Sequence, residues 1–520
     1  MIFKSPYPDV DIPKTGVAQF VLKGAADRGD KAALIDGPSG RTITYRELDG
    51  AVRSLAAGLA TRGFSKGDVM AIYSPNIPEY AIAFHGIALA GGVATTVNPL
   101  YTIDELTFQL KDSGARFLVT IPMFLENALE AAGRTGVEEV FVFGEAEGAT
   151  PFADLLTSGA EPTEVSIDPA QDLVAMPYSS GTTGLPKGVM LTHQNLTGNI
   201  NQALAPHDTS DEDVVIGVLP FFHIYGLTVI LNAALSEGAT IVTMPRFDLE
   251  QFLQLLQDHK VTRAYAVPPI VLALAKHPIV DNYDLSSLSL IMSGAAPLGQ
   301  ELSEAAAKRL DTLVIQGYGL TETSPVTHVN PEEEAKVKPG SIGPLIPNTI
   351  AKVVDPVSGK ELGYDETGEV WIKGPQVMKG YLNNDEATKH TIDDEGYLHT
   401  GDIGYVDQDG YFYIVDRLKE LIKYKGFQVP PAELEAVLLS HPAVGDAAVI
   451  GVPDEEAGEL PKAFVVKSGD VDEAEIMEYV AGHVSPQKKI RLVEFVDEIP
   501  KSASGKILRR ILIERERARA

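Results

Sequence analysis

The sequence predicts an α/β fold: a large N-terminal domain of two parallel-sheet α/β subdomains plus a small β-barrel subdomain, followed by a C-terminal α+β unit. Three observations lead there. Short apolar runs alternate with helical stretches through residues 42–143 and again through 214–293, the rhythm of β-α-β units whose parallel strands are covered by helices. Beyond Pro339 the character changes, because 369–373, 404–407 and 411–415 are short alternating segments divided by glycine-containing turns, as in a small antiparallel barrel. After Asp416-Arg417-Leu418-Lys419, a helix over 430–440 and a strand over 445–452 open a compact unit, so domains are expected at 1–418 and 419–520 with a hinge near Lys419.

The elements follow in order. Thr42 to Tyr45 reads as a strand running into a helix from Arg46, whose apolar face continues through Leu55 to Ala60. Residues 68–73 form a buried-strand candidate, 78–90 a helix and 92–97 a strand, and 115–120 and 139–143 repeat the theme after two further helices. Leu173 to Met176 is another short apolar run, and Thr192 is placed to cap a helix. The uncharged stretch 214–235 is long enough for a membrane helix, but Gly217, Pro220, His223, Gly226 and Asn232 divide it into strand, loop and helix. Strands at 261–267 and 288–292 follow, the latter ending on Ser293-Gly294-Ala295-Ala296-Pro297; loops at the carboxyl ends of parallel strands are where such sheets bind ligands.

Charge and cysteine content narrow the function. Lys+Arg 43 against Asp+Glu 72 gives a net charge of −29, which repels nucleic acid and anionic membrane surfaces, so anionic substrates must meet local positive sites. With no cysteine, disulfides, thiolate metal sites and an enzyme-bound thioester are excluded, and any thiol must be external. Neither terminus reads as a secretory or peroxisomal signal, so the cytoplasm is the expected location, with a monomer or weak homodimer as the expected state.

The chemistry concentrates in Tyr178-Ser179-Ser180-Gly181-Thr182-Thr183-Gly184-Leu185-Pro186-Lys187-Gly188-Val189. Glycines let backbone N–H groups approach an anion, the hydroxyls add donors, and Lys187 supplies charge suited to a pyrophosphate. The spacing departs from G-x-x-x-x-G-K-[ST], since Pro186 stands five residues after Gly181 and Gly188 follows Lys187, which argues against a Walker-type NTPase. Composition alone also fits a flexible surface linker.

This loop resembles the signature of the adenylate-forming superfamily of acyl-CoA synthetases, adenylation domains and beetle luciferases. Other motifs between about Thr42 and Arg510 extend the resemblance over nearly the whole chain. Gln316-Gly317-Tyr318-Gly319-Leu320-Thr321-Glu322-Thr323 is similar to the second signature, which implies Tyr318 on the adenine, Thr321 on the α-phosphate and Glu322 on Mg²⁺; by itself a Thr-Glu pair in such a loop is usually structural. Tyr397-Leu398-His399-Thr400-Gly401-Asp402 resembles the ribose-binding motif, with Asp402 accepting from the hydroxyls and Arg417 assisting, although Thr-Gly-Asp alone reads as a turn. Gly294-Ala295-Ala296 matches the segment lining the adenine and part of the acid site, and His223 lies in a loop that borders the acid, where a bland reading is a satisfied core histidine. Lys506 matches the lysine that bridges acid and phosphate in adenylation. Lys423, Lys425, Gly426 and Gln428 match the loop that replaces it when the C-terminal lid rotates for thioester formation; alone, each lysine would read as a surface charge.

The resemblance is strongest to 4-coumarate–CoA ligases and their bacterial relatives. It implies ATP plus a carboxylic acid giving acyl-AMP, which CoA then displaces. It also implies an acid pocket walled by Ile224, Tyr225, Val229, Met292, Ala295, Gly317, Gly319, Val326 and Thr327, with Tyr225 meeting a para-hydroxyl or capping a ring. An aryl-propenoate such as 4-coumarate fits that list. A medium- or long-chain fatty acid is the alternative, as are carrier-protein loading and luciferase-like oxidation of the adenylate.

Overall fold

The fold, described by a computed structural model for residues 1–156, 162–179, 186–425, 427–454, 456–502 and 505–519, is organised around three sheets in the N-terminal part and one in the C-terminal part. Ser180, Gly181, Thr182, Thr183 and Gly184 of the signature loop, and Gly426, lie outside the described residues.

The first sheet has Val93–Val97, Val69–Tyr73, Ala115–Thr120 and Glu139–Val142 side by side and parallel. Their near-continuous burial is what helices on both faces require. Toward the site this sheet turns antiparallel, where Lys187–Thr192 pairs with Leu173–Ala175 and with Tyr178–Ser179. The signature loop therefore joins two hydrogen-bonded strands, which fixes both of its ends. Thr192 then caps the helix His193–Leu204 as the sequence predicts: its Oγ1 accepts from the Asn195 N–H while the Asn195 side chain accepts from the Thr192 N–H.

The second sheet runs Val326–Val329, Leu313–Gly319, Leu290–Ser293, Arg263–Ala266, Val214–Gly217, Thr240–Thr243, Ala32–Asp36, Thr42–Thr44, parallel except at its two ends. Its far edge is built from the first strands of the chain. Ala32–Asp36 pairs with Thr240–Thr243, placing Leu34 opposite Ile241, and the buried Tyr45 hydroxyl donates to the Ala239 carbonyl at 2.7 Å. Strand alternation alone carries no information on which parallel neighbour a hairpin will choose.

The β-rich third part is antiparallel throughout, in the order Phe3–Lys4, Ile350–Val354, Gly368–Lys373, Leu398–Val406, Phe412–Arg417. From Ile422 onward a separate apolar core forms around Ile422, Leu434, Val449, Val465 and Ile476. It is built on the antiparallel strands Val444–Asp454 and Gly458–Lys467 with the helices Pro431–Ser440 and Glu473–His483. Among the described residues no helix is long and apolar enough to cross a membrane, and 214–235 resolves into the strand Val214–Gly217, a loop, the π-helix Tyr225–Asn232 and a short α-helix.

Candidate active site

The carboxyl ends of the second sheet, the end of the third sheet and one turn of the C-terminal part converge. The strand Leu313–Gly319 delivers Gln316, Gly317, Tyr318 and Gly319 before the chain tightens into a 3-10 turn over Thr321–Thr323. Gln316 is buried, and its Oε1 accepts from the Leu298 N–H at 3.1 Å, tying the Gly294-Ala295-Ala296 turn to the neighbouring strand. Gly294 has a steric reason: a Cβ there would stand 2.9 Å from the Tyr225 ring.

Asp402 and Arg417 face each other across paired strands, with Arg417 Nε 3.5 Å from Asp402 Oδ1. The Tyr318 hydroxyl donates to Asp402 Oδ2. Burial lifts the Asp402 pKa, while Arg417 and the Tyr318 hydrogen bond pull it back down. Such a carboxylate, buried but still served by a cation, suits reception of sugar hydroxyls. Beside this pair Trp371 stacks on His399, centroids 3.7 Å apart and planes at 9°.

Glu322 is buried and accepts one hydrogen bond at Oε1, from the Tyr381 hydroxyl at 2.8 Å; among the described residues it has no cationic partner. Lys187 Nζ lies 4.9 Å from the centroid of the same Tyr381 ring. Tyr381 thus links the start of the strand after the signature loop to the Thr321-Glu322 turn. Sequence reasoning missed it, because its Gly380–Tyr381 strand pairs with Val189 and Met190 from about 190 residues away. A buried carboxylate with free lone pairs fits a magnesium that takes its remaining ligands from phosphates and water.

His223 Nδ1 accepts from the Tyr225 N–H at 3.2 Å, so the neutral ring carries its proton on Nε2. Burial, aided by the Lys506 charge, lowers its pKa to about 4. Lys506 belongs to the C-terminal part, yet its ammonium sits among Arg417, Glu420, Asp402 and Arg509; burial first and Arg417 second bring its pKa down to about 8. Its turn is held by the Lys506 N–H donating to Ser502 Oγ at 3.1 Å, and a Cβ on Gly505 would touch Val267 at 3.0 Å. Lys276 also spans the two parts, donating to the Leu439 carbonyl at 2.6 Å. Lys423, Lys425 and Gln428 stand exposed on the hairpin Ile422–Tyr424 and Phe427–Val429, so the structure brings together Lys506, His223, Asp402 and Arg417 but not the second lysine set.

Of the expected acid wall, Val229, Met292 and Val326 line one small cavity together with His207, Tyr265 and Val329. Ile224 is buried beside Tyr225, whose hydroxyl donates to the Met292 carbonyl at 3.1 Å and so is already engaged rather than presented to a ring substituent. The Thr327 hydroxyl turns toward the Tyr318 carbonyl and His328 Nδ1, at 3.3 and 2.9 Å.

Comparison with known proteins identifies the family. Residues 22–382 match the model of the AMP-binding enzymes and 433–506 that of the AMP-binding enzyme C-terminal domain. The chain is 46% identical to 4-coumarate–CoA ligase 3 of Oryza sativa subsp. japonica over 98% of this chain and 94% of that protein, and 45% identical to 4-coumarate–CoA ligase 2 of Petroselinum crispum over 98% and 96%. Among solved structures, the anthranilate CoA ligase AuaEII in complex with anthranoyl-AMP superposes with a TM-score of 0.90 at 27% identity, covering 98% of each chain. ATP-bound MatB from Rhodopseudomonas palustris gives 0.87 at 32% identity, covering 96% of this chain and 99% of that one. Matched by these family models over most of its length, and 46% identical to a 4-coumarate–CoA ligase over nearly all of it, this chain belongs to the AMP-binding enzyme family.

Proposed function

We propose that the protein is an AMP-forming acid–CoA ligase: it condenses a carboxylic acid with ATP to acyl-AMP and pyrophosphate, and then passes the acyl group to CoA. The observation that carries this reading is the seat of Lys506, a lysine of the C-terminal part inserted beside neutral His223 and the Asp402–Arg417 pair.

The chemistry follows from those groups. Asp402 and Arg417 hold the ribose, Tyr318 and the Gly294-Ala295-Ala296 turn flank the adenine, and Thr321 with the Ser179–Lys187 loop holds the phosphates. Lys506 draws the carboxylate oxygen and the α-phosphate together by charge, which matters most as negative charge accumulates in the transition state. His223, uncharged with its proton on Nε2, donates to the acid without adding a second cation. Glu322 is the residue that would hold Mg²⁺, which supplies charge neutralisation at the phosphates. The lack of any cysteine fits a free thiol as acceptor.

The exposed Lys423, Lys425 and Gln428 serve the thioester step after the C-terminal part turns about a hinge near Lys419, the boundary we assign between domains 1–418 and 419–520. We take the acid to be 4-coumarate or a related aryl-propenoate, and the protein to work in the cytoplasm as a monomer or weak homodimer. CoA-dependent AMP release, measured as kcat/KM over cinnamate, 4-coumarate, ferulate, hexanoate, octanoate and palmitate, tests the assignment. A lead of more than about tenfold for palmitate overturns the aryl choice, since one methylene of misfit changes discrimination by only about 1–3 kcal/mol.

A further inference from the structure

The short segment 378–382 clasps two loops assigned to the phosphates. On one side it is zipped to the strand that leaves the signature loop: the Met190 carbonyl accepts from the Lys379 N–H at 3.0 Å, the Gly188 carbonyl accepts from the Leu382 N–H at 2.8 Å, and Tyr381 stands opposite Val189. On the other side the Met378 N–H donates to the Glu322 carbonyl at 2.9 Å, which fixes the backbone of the Thr321–Thr323 turn. The Tyr381 N–H is itself tied to Thr388 Oγ1 at 2.9 Å.

The Tyr381 side chain, 6% exposed, spans both sides. Its hydroxyl donates to Glu322 Oε1 at 2.8 Å, which fixes the rotation of the carboxylate and leaves Oε2 without a partner among the described residues. Its ring centroid lies 4.9 Å from Lys187 Nζ, within reach of cation–π attraction. A phenol offers a negative face and a positive proton, so it holds a cation and an anion at once without letting them neutralise each other. A direct Lys187–Glu322 ion pair would spend both charges; this arrangement keeps both available to a ligand.

We propose that Tyr381 is a positioning residue that couples the two halves of the phosphate site, its ring seating Lys187 for the phosphates and its hydroxyl orienting the Glu322 carboxylate for the divalent cation. The proposal rests on the acid–CoA ligase reading and on Glu322 as the residue that would hold Mg²⁺. Partners that orient a metal's carboxylate are worth about 10- to 100-fold in metal affinity.

The experiment measures ATP Kd by Trp371 fluorescence, with no acid present, in EDTA and in saturating Mg²⁺. Wild-type binding is tighter in Mg²⁺ than in EDTA by at least about tenfold. Tyr381→Phe keeps the ring and loses the hydroxyl, so its EDTA value stays within about twofold of wild type while the advantage in Mg²⁺ falls by about tenfold. Tyr381→Leu removes the ring as well, and weakens ATP binding in EDTA by about 2- to 30-fold. Lys187→Ala added to Tyr381→Leu costs less than Lys187→Ala alone, because the two share one interaction. Equal weakening of Tyr381→Phe in EDTA and in Mg²⁺ shows a merely structural residue and overturns the proposal, as does strict additivity of the Lys187→Ala and Tyr381→Leu losses. A wild type with no advantage in Mg²⁺ removes the metal role of Glu322 and the proposal with it. The ligase reading is judged separately, by CoA-dependent AMP release in the wild type, and stands or falls on that result alone.

Discussion

Replacing Lys506 by alanine should separate the two half-reactions. At about 4 Å and an effective dielectric near 20, a unit charge is worth about 4 kcal/mol to a developing charge. Lys506 is only half-buried, so solvent screening brings the figure to about 2–4 kcal/mol, or roughly 30- to 1000-fold in rate. Pyrophosphate release with acid and ATP should slow by that factor in Lys506→Ala, while attack of CoA on supplied acyl-AMP stays close to wild type. Lys423 is exposed on its hairpin, so Lys423→Ala should leave pyrophosphate release within about twofold and slow the CoA step. The pH dependence has a defined sign. Burial and Arg417 bring the Lys506 pKa down to about 8, and the ammonium is the working form, so adenylation should decline as pH rises through about 8. Lys506→Arg keeps its charge across that range and should flatten the alkaline limb, whatever its absolute rate. Equal losses of both steps in both lysine variants, or an alkaline limb unchanged in Lys506→Arg, would refute the reasoning.

Three further outcomes follow from the same geometry. Gly319→Ala puts a methyl 1.9 Å from the Pro325 carbonyl, a backbone atom that cannot step aside, so kcat/KM should fall by more than about 100-fold; Gly50→Ala, in an open helix position, should keep full activity and gain up to about 1 kcal/mol in stability. Asp402→Asn removes the carboxylate charge from beside Arg417 and should weaken ATP binding by about 1.5–3 kcal/mol, read by titrating the fluorescence of Trp371, the sole tryptophan; an unchanged Kd contradicts the ribose role. Glu322→Gln keeps an acceptor for Tyr381 but loses the charge, so half-saturation by Mg²⁺ should rise at least about tenfold, and an unchanged magnesium requirement excludes it as the ligand.

Much of the architecture was legible in the chain because its signals are local. Thr192 caps its helix with the reciprocal hydrogen bonds of a capping box, and the apolar runs at 69–73, 93–97 and 115–120 are buried parallel strands. The interruptions at Gly217, Pro220 and Gly226 do separate a strand from a helix; a Cβ on Gly226 would lie 2.1 Å from the Pro220 carbonyl. Partnership between distant segments was not legible. The Ala32–Asp36 and Thr42–Thr44 hairpin pairs with Thr240–Thr243, about 200 residues away, a partnership that local apolar patterning does not encode. Tyr381 under Lys187 and against Glu322 could not be found from spacing, as it reaches them from about 190 and 60 residues away in the chain. Resemblance located Lys506 on its loop, but its proximity to His223 and Arg417 depends on how the C-terminal part docks.

A single-turnover quench most directly tests the claim that one cleft runs adenylation and then thioester formation. Enzyme in excess over ATP, with Mg²⁺ and 4-coumarate but no CoA, should release pyrophosphate in one burst and retain acyl-AMP; adding CoA should then release AMP together with the acyl-CoA thioester. Binding of ATP with no pyrophosphate released, for that acid and for the fatty acids alike, would contradict the account.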